Sequence, residues 1–344
     1  MVLNSEKEAG AALEAHCRRV AAWSLEMERT LKASKASPEQ LAEILDLAEA
    51  LEEQFAWEPF DEAAPKLDPL AEAALSCLQA ATRADLDRVV SRLPVFPAAA
   101  RMALQVLLRE NWQASELRLI AKSDPTLAAH VIRAANSWTH SPRQAITTIP
   151  HAIAYIGAER TSRILCAASM KPLFASAALR QIWNHSVESA ELARHLAKVL
   201  RSFDPEEAFL AGLVHDAGRL AMALLPAEFQ ARSARLIEKG CETVLVERAL
   251  CGFSHAEAGA IALKAWSFPE SLVQAVEHHH QPERSESKLA ALLYLTEHWT
   301  NSCEDLPSLV RLKIASGRLG LTSGSLADFE VPEDRTLSGL CFAA

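Results

Sequence analysis

An imidazole and a carboxylate stand side by side, His215-Asp216, in a run that is otherwise apolar: Ala208-Phe209-Leu210-Ala211-Gly212-Leu213-Val214 before them and Ala217-Gly218-Arg219 after. Such a run belongs in a core. Burying both groups unpaired would cost several kcal/mol, so the fold must bring partners to them from elsewhere in the chain. A metal ion is one solution and a dense hydrogen-bond network is the other; the pair alone does not choose between them.

Partners are available in the same part of the sequence. His185 lies in Ile182-Trp183-Asn184-His185-Ser186, His255 in Phe253-Ser254-His255-Ala256-Glu257, and His278-His279-His280 and Glu297-His298 come later. Imidazole and carboxylate together suit a first-row transition ion, and with no Cys-x-x-Cys pair among them the residues do not suggest a thiolate-rich structural zinc site. Taken singly, His185 and His255 read as ordinary core or capping residues; it is the set taken together that brings in the metal reading. His195, His278 and His298 read as bystanders, and His130, His140 and His151 fall outside the pattern.

The rest of the chain reads as helix. Gly is limited to 11 residues and aromatics to 6%, while Ala, Leu, Glu and Arg dominate, which favours helix over strand. Ser37-Pro38, Asp68-Pro69, Asp124-Pro125 and Asp204-Pro205 each offer a capping oxygen followed by proline at the first helical position. The expectation is an all-α protein. Asn136 and Ser137, at the end of a helix patterned by Leu127, Val131 and Ile132, are expected to bond backbone and stop that helix.

Composition excludes several function classes. No run of 18 or more apolar residues is present and the first residues lack a basic head with an apolar core, so a cytoplasmic protein is expected, neither secreted nor membrane-spanning. The 7 cysteines are scattered and never spaced Cys-x-x-Cys, as ordinary thiols of a reducing compartment would be. A net charge of -9, with arginines interspersed among acids, argues against a dedicated nucleic-acid binder.

Ordered motifs then carry a resemblance. Leu93-Pro94-Val95-Phe96-Pro97, Ile120-Ala121-Lys122-Ser123-Asp124-Pro125, Ala134-Ala135-Asn136-Ser137 and Ile149-Pro150-His151-Ala152 through Gly157 precede the His-rich region, and Trp266-Ser267-Phe268-Pro269 precedes His279-His280-Gln281-Pro282. Over roughly residues 83 to 284 the chain resembles the HDOD family, the HD-related output domains of bacterial signalling proteins, within the HD superfamily of metal-dependent phosphohydrolases. The resemblance implies an HD-like multi-helix domain at 83–301 with its HD-like half at 179–301. It leaves an N-terminal helical region of unknown role at 1–82, with helices from Ser5, Pro38 and Pro69, and a C-terminal helical extension and tail at 302–344.

It also implies a ligand set. His185, His215, Asp216 and Glu297 would hold one ion, and His255, His279 and His280 would complete a second position, with Asp216 bridging; the ions would be iron, manganese, nickel or zinc. In an enzyme of this kind Asp216 and Arg219 would serve catalysis. Three features depart from the catalytic relatives: Glu297 stands where Asp is usual, Arg219 where phosphodiesterases have Lys, and Gln281-Pro282-Glu283-Arg284-Ser285 where the Gly-Tyr-Pro segment of cyclic-dinucleotide phosphodiesterases would be. The expected function is therefore regulatory output through a protein partner in a signalling pathway or through a nucleotide ligand. The alternative is a metal-dependent phosphohydrolase or phosphodiesterase.

Overall fold

The computed structural model describes residues 86–109, 112–137, 142, 144–237, 243–299, 309–322, 325 and 337–342. The three helices expected within residues 1–82, and His140, lie outside the described residues. Among the described residues there is no strand, and the chain runs through α1 (Ala98–Leu107), α2 (Ala114–Ser123), α3 (Pro125–Ser137), α4 (Ile149–Ile156), α5 (Ala158–Met170), α6 (Arg180–Leu200), α7 (Pro205–Val214), α8 (Arg219–Met222), α9 (Ala227–Ile237), α10 (Thr243–Cys251), α11 (His255–Ala265), α12 (Glu270–His278), α13 (Lys288–Trp299) and α14 (Leu309–Leu319). The all-α expectation is met. None of these helices is long and apolar enough to cross a membrane.

Local chemistry sets the boundaries. Asp124 Oδ1 accepts from the Thr126 backbone N–H at 2.7 Å and Asp204 Oδ1 from that of Glu206 at 2.7 Å, with Pro125 and Pro205 at the first helical positions. Both caps satisfy a backbone donor that the helix itself leaves open. Gly157, at φ +87°, separates α4 from α5, a backbone conformation that glycine adopts without strain. Asn136 behaves as expected: its Nδ2 donates to the Ile132 and Ile146 carbonyls at 2.9 and 2.8 Å, and its Oδ1 accepts from the Ile146 N–H at 2.8 Å. One side chain thus ends α3 and holds the returning segment against it.

The helices pack as two halves. In the first, α1 lies on α5, and α2, α3 and α4 pack against each other and against α5; Ser162 Oγ donates to the Ala103 carbonyl at 2.9 Å. In the second, α6 and α7 form the central pair, flanked by α11, α12 and α13. The approach of α6 to α7 is close enough that a Cβ on Gly212 would sit 2.7 Å from Ala190 Cα. The halves are joined by apolar and ionic contacts. Phe96, from the first motif, lies with its ring centroid 5.3 Å from that of Trp266 and 5.1 Å from that of Phe268, both from the motif that precedes the paired histidines. Nearby, Glu206 Oε1 accepts from the buried Arg163 Nη1 at 2.7 Å and from Arg194 Nε at 3.0 Å.

Candidate metal centre

Five elements of the second half converge on one buried spot. His185 comes from within α6, His215-Asp216 from the turn that ends α7, His255 from the first residue of α11, His279-His280 from the turn that ends α12, and Glu297 from α13. All are at most 5% exposed. Ser254 sets the start of α11, accepting from the Glu257 N–H in a reciprocal capping box, and so fixes where His255 begins. The turn at Gly218 tolerates nothing larger, because a Cβ there would lie 1.8 Å from the His255 carbonyl oxygen.

The orientation of the rings is set by helix ends. His215 Nδ1 lies 2.7 Å from the Gly212 carbonyl and His279 Nδ1 lies 2.6 Å from that of Val276, each three residues upstream. A carbonyl can only accept, so both Nδ1 atoms carry the hydrogen. The last carbonyls of α7 and α12, which have no partner within the helix, are thereby used. His255 is held the same way by an acid: its Nδ1 donates to Glu247 Oε2 at 2.7 Å, and its backbone N–H donates to the same oxygen at 2.8 Å. In each case Nε2 is left facing the cluster, the arrangement that an outer hydrogen bond gives a metal-binding histidine.

Two groups result. His185 Nε2 is 3.1 Å from His215 Nε2 and 3.0 Å from Glu297 Oε2, and His215 Nε2 is 3.1 Å from that same oxygen. His255 Nε2 is 3.0 Å from His280 Nε2, and the His279 ring packs beside both, its centroid 5.3 Å from that of His255 and 4.2 Å from that of His280. Asp216 reaches both groups: Oδ1 is 3.3 Å from His255 Nε2 and Oδ2 is 3.8 Å from His215 Nε2. Sets of one donor atom each from His185, His215 and Asp216, and from His255, His279 and His280, lie within 4.8 Å of one another.

These spacings fit metal coordination. Ligands about 2.1 Å from an ion stand about 3.0 Å apart in an octahedron and about 3.4 Å apart in a tetrahedron. Hydrogen bonds alone would have similar lengths, so the deciding feature is His279 Nε2. It is buried and has no hydrogen-bond partner among the described residues, whereas an ion bound by His255 and His280 would give it one. The clusters can therefore hold metal, and the choice of ion stays open between those that imidazole and carboxylate suit.

Charge is unevenly shared. Burial works against the Asp216 carboxylate, yet Arg219, His215 and His255 hold its pKa well below the usual range. Glu297 is likewise buried and lowered, by His185 and His215. His215 would be discharged by burial, but Asp216 and Glu297 raise it to about 9. His279 goes the other way, lowered to about 3 by burial and by the neighbouring His215 and His255. His280 is lowered for the same kinds of reason, burial first.

All seven expected ligands, Glu297 included, thus lie at one place, with Glu297 Oε2 3.0 Å from His185 Nε2 and 3.1 Å from His215 Nε2. Glu247 was not expected. It is buried, it holds His255, and its Oε1 accepts from Arg219 Nη1 at 3.4 Å, while Arg219 Nε is 3.5 Å from Asp216 Oδ1. The signal was present: an acid following Val244-Leu245-Val246 is the same anomaly as His215-Asp216. Outside the cluster, His130 lies 3.1 Å from Arg133 Nη2, and the His298 ring packs on that of Tyr294 at 4.5 Å.

A helical bundle with inward-facing histidines and acids from successive helices defines an HD-type domain. The chain belongs to the HDOD family, whose domain matches residues 93–282, more than half of its length. A solved structure from Shewanella amazonensis SB2B, provisionally named a phosphohydrolase, is similar with 26% identity and a TM-score of 0.58, covering 74% of this chain and 94% of that one. An HDOD domain protein of unknown function from Geobacter sulfurreducens has 21% identity and a TM-score of 0.60, covering 74% and 92%. A provisionally named signal transduction protein from Marinobacter aquaeolei VT8 has 20% identity and a TM-score of 0.60, covering 73% and 62%. An uncharacterized protein from Treponema pallidum is 18% identical over 195 residues, so that the chain spans 38% of the length of that curated relative.

Proposed function

We propose that this chain is a regulatory module of bacterial signal transduction that acts by binding a protein partner. Its buried cluster holds up to two transition ions in order to organise the domain, not to turn over a substrate. His185, His215, Asp216 and Glu297 hold the first ion; His255, His279 and His280 hold the second, with Asp216 shared. The observation that carries this reading is the burial of the candidate ligand set: every member is at most 5% exposed. Arg219, the cation that a phosphate would need, is engaged by Asp216 and Glu247. Membership of a family of signalling output domains points the same way, as does Gln281-Pro282-Glu283 in place of a substrate-binding Gly-Tyr-Pro segment.

The second reading is a metal-dependent phosphohydrolase acting on a nucleotide or phosphoester, and the completeness of the ligand set favours it. A bound pair of ions would supply Lewis acidity and a water that ionises near neutral pH. Asp216 would then bridge, and Arg219 would have to leave Glu247 to meet a phosphate bidentately.

Metal analysis of protein purified without chelator, combined with a hydrolysis assay, separates the two. The expected outcome is bound iron, manganese, nickel or zinc with no cleavage of cyclic dinucleotides, nucleotides or a chromogenic phosphodiester when manganese or iron is supplied. Metal-dependent turnover at about 1 per second or faster, within the ordinary enzyme range, and abolished by Asp216→Ala, replaces the regulatory reading with the enzyme.

A further inference from the structure

Residues 337–342 lie against the domain in a manner unlike the rest of its core. Whereas α14 packs on α13 and on the turn Pro282–Arg284, the short 3-10 turn Ser338–Leu340 packs on α3. Leu337 and Leu340 are buried at 0% and 3% exposure. From Leu340 onward the segment is held by its backbone. Trp183 Nε1 donates to the Leu340 carbonyl at 3.0 Å, Lys171 Nζ to the Cys341 carbonyl at 3.2 Å, and Asn184 Nδ2 to the Phe342 carbonyl at 3.1 Å, while the Phe342 N–H donates to Asn184 Oδ1 at 2.7 Å.

Three side chains thus read the main chain of three consecutive residues, and the amide of Asn184 pairs with both backbone groups of one of them. Trp183 is fully buried and its ring packs on Phe174, so its donor is aimed by the core and not by the tail. The Phe342 ring is flanked by cations, with Lys171 Nζ 4.5 Å and Arg180 Cζ 5.4 Å from its centre; such contacts are attractive in proportion to their desolvation. The backbone hydrogen bonds act on any sequence, while the two buried leucines, Leu337 just before the 3-10 turn and Leu340 at its end, and the ring of Phe342 add the side-chain selection.

We propose that the groove formed by Lys171, Arg180, Trp183 and Asn184 is a peptide-binding site for a Leu-x-x-Leu-x-Phe segment, filled in cis by the chain's own residues 337–342. The tail is a resident ligand that a segment of the same pattern can replace. Because the cis segment has a high effective concentration, the intact chain resists exchange, and the groove accepts a peptide in trans once the tail is released. The proposal does not depend on the metal centre, although Trp183 and Asn184 directly precede His185.

The test uses the full-length chain carrying Leu337→Asp and Leu340→Asp, which frees the tail and leaves the groove intact. The probe is a fluorescein-labelled synthetic peptide of residues 337–342 with blocked ends. Saturable binding to this variant, weaker by about tenfold or more to the wild-type chain and to the variant with Asn184→Ala added, is expected, since the amide contributes two hydrogen bonds of about 1 kcal/mol each. Absence of saturable binding, or binding that Asn184→Ala leaves unchanged, overturns the proposal. Should the doubly substituted chain lose its helical circular dichroism, hydrogen exchange on the wild-type chain decides instead. Protection of the Phe342 amide that is lost in Asn184→Ala supports the groove, and an unprotected Phe342 amide overturns it.

Discussion

The first half of the described chain, α1 to α5, and the second, α6 to α13, are both helical and share one apolar core, but only the second sets a cluster of imidazoles and carboxylates inside it. Leu104, Leu117, Ile120, Val131 and Ile164 fill the first with apolar volume. Among its buried polar groups, Thr161 Oγ1 donates to the Gly157 carbonyl, Ser169 Oγ to that of Leu165, and Arg163 Nη1 to Glu206. The second half places His185, His215, Asp216, Glu247, His255, His279, His280 and Glu297 in its interior. Hydrophobic burial is enough to specify the first. The second has apolar volume as well, with Trp183, Leu196, Phe209, Leu213, Leu263 and Leu292 buried, but at its centre burial opposes the charged forms, and those groups are tolerated only where charge is answered by charge or by metal.

The comparison breaks or sharpens at four places. The largest effect is expected from Asp216→Ala, which removes the carboxylate that reaches both groups and leaves His215 and Arg219 without it. Bound metal should be lost, and breaking a buried pair of this kind costs about 3–5 kcal/mol. Elemental analysis and thermal unfolding measure both effects, and hydrogen exchange should show the loss in α6 to α13 before α1 to α5. If the amides of α1 to α5 lose protection equally, the two halves are one cooperative unit.

Leu117→Ala is the matching experiment in the apolar half. Leu117 is fully buried, and its truncation should cost about 2–5 kcal/mol through lost burial and a cavity. Metal content should stay at the wild-type value; a fall would show that the first half also shapes the site.

Glu247→Ala should act on the site with less effect on the fold. Removing an acid that orients a metal-binding histidine typically weakens metal affinity by about 10- to 100-fold. Isothermal titration of chelator-treated protein with zinc or manganese measures it. Unchanged affinity would mean that the start of α11 alone positions His255.

The smallest effect is pH dependence in chelator-treated protein. The pKa of His215 is raised from 6.5 to about 9, so its contribution to stability is complete below 6.5 and disappears as pH rises through 9. His279 is lowered from 6.5 to about 3; folding then disfavours its protonation, and stability falls as pH drops from 6.5 toward 3. Melting temperature should therefore decline on both sides of about pH 6.5. His215→Gln should abolish the alkaline decline, and bound metal should do the same, because it takes the place of the His215 proton. An alkaline limb that persists in His215→Gln would assign the effect elsewhere.

Much of this was legible in the sequence. Asp124 and Asp204 announce their helices because a cap is a contact between a side chain and a backbone group two residues away. His215-Asp216 announces a site because a polar pair in an apolar run has no local explanation. The order of His185, His255, His279-His280 and Glu297 resembles one family, so the ligand set could be carried over residue by residue. Glu247 was passed over, although it too interrupts an apolar run, because one buried acid has no partner that sequence spacing can name.

By itself, then, the sequence determined that the described part of the chain is helical and that its second half must find partners for a buried imidazole and carboxylate, since helix propensity, capping and burial patterns act over a few residues. Tertiary structure alone decided that one Asp216 oxygen faces each group and that His279 Nε2 has no hydrogen-bond partner among the described residues. It alone set Glu247 between His255 and Arg219 and laid residues 337–342 against Trp183 and Asn184. Apart from Asp216 and its neighbour His215, these are contacts between residues 8 to 158 positions apart, and they are fixed by how whole helices pack, to which no local pattern is sensitive.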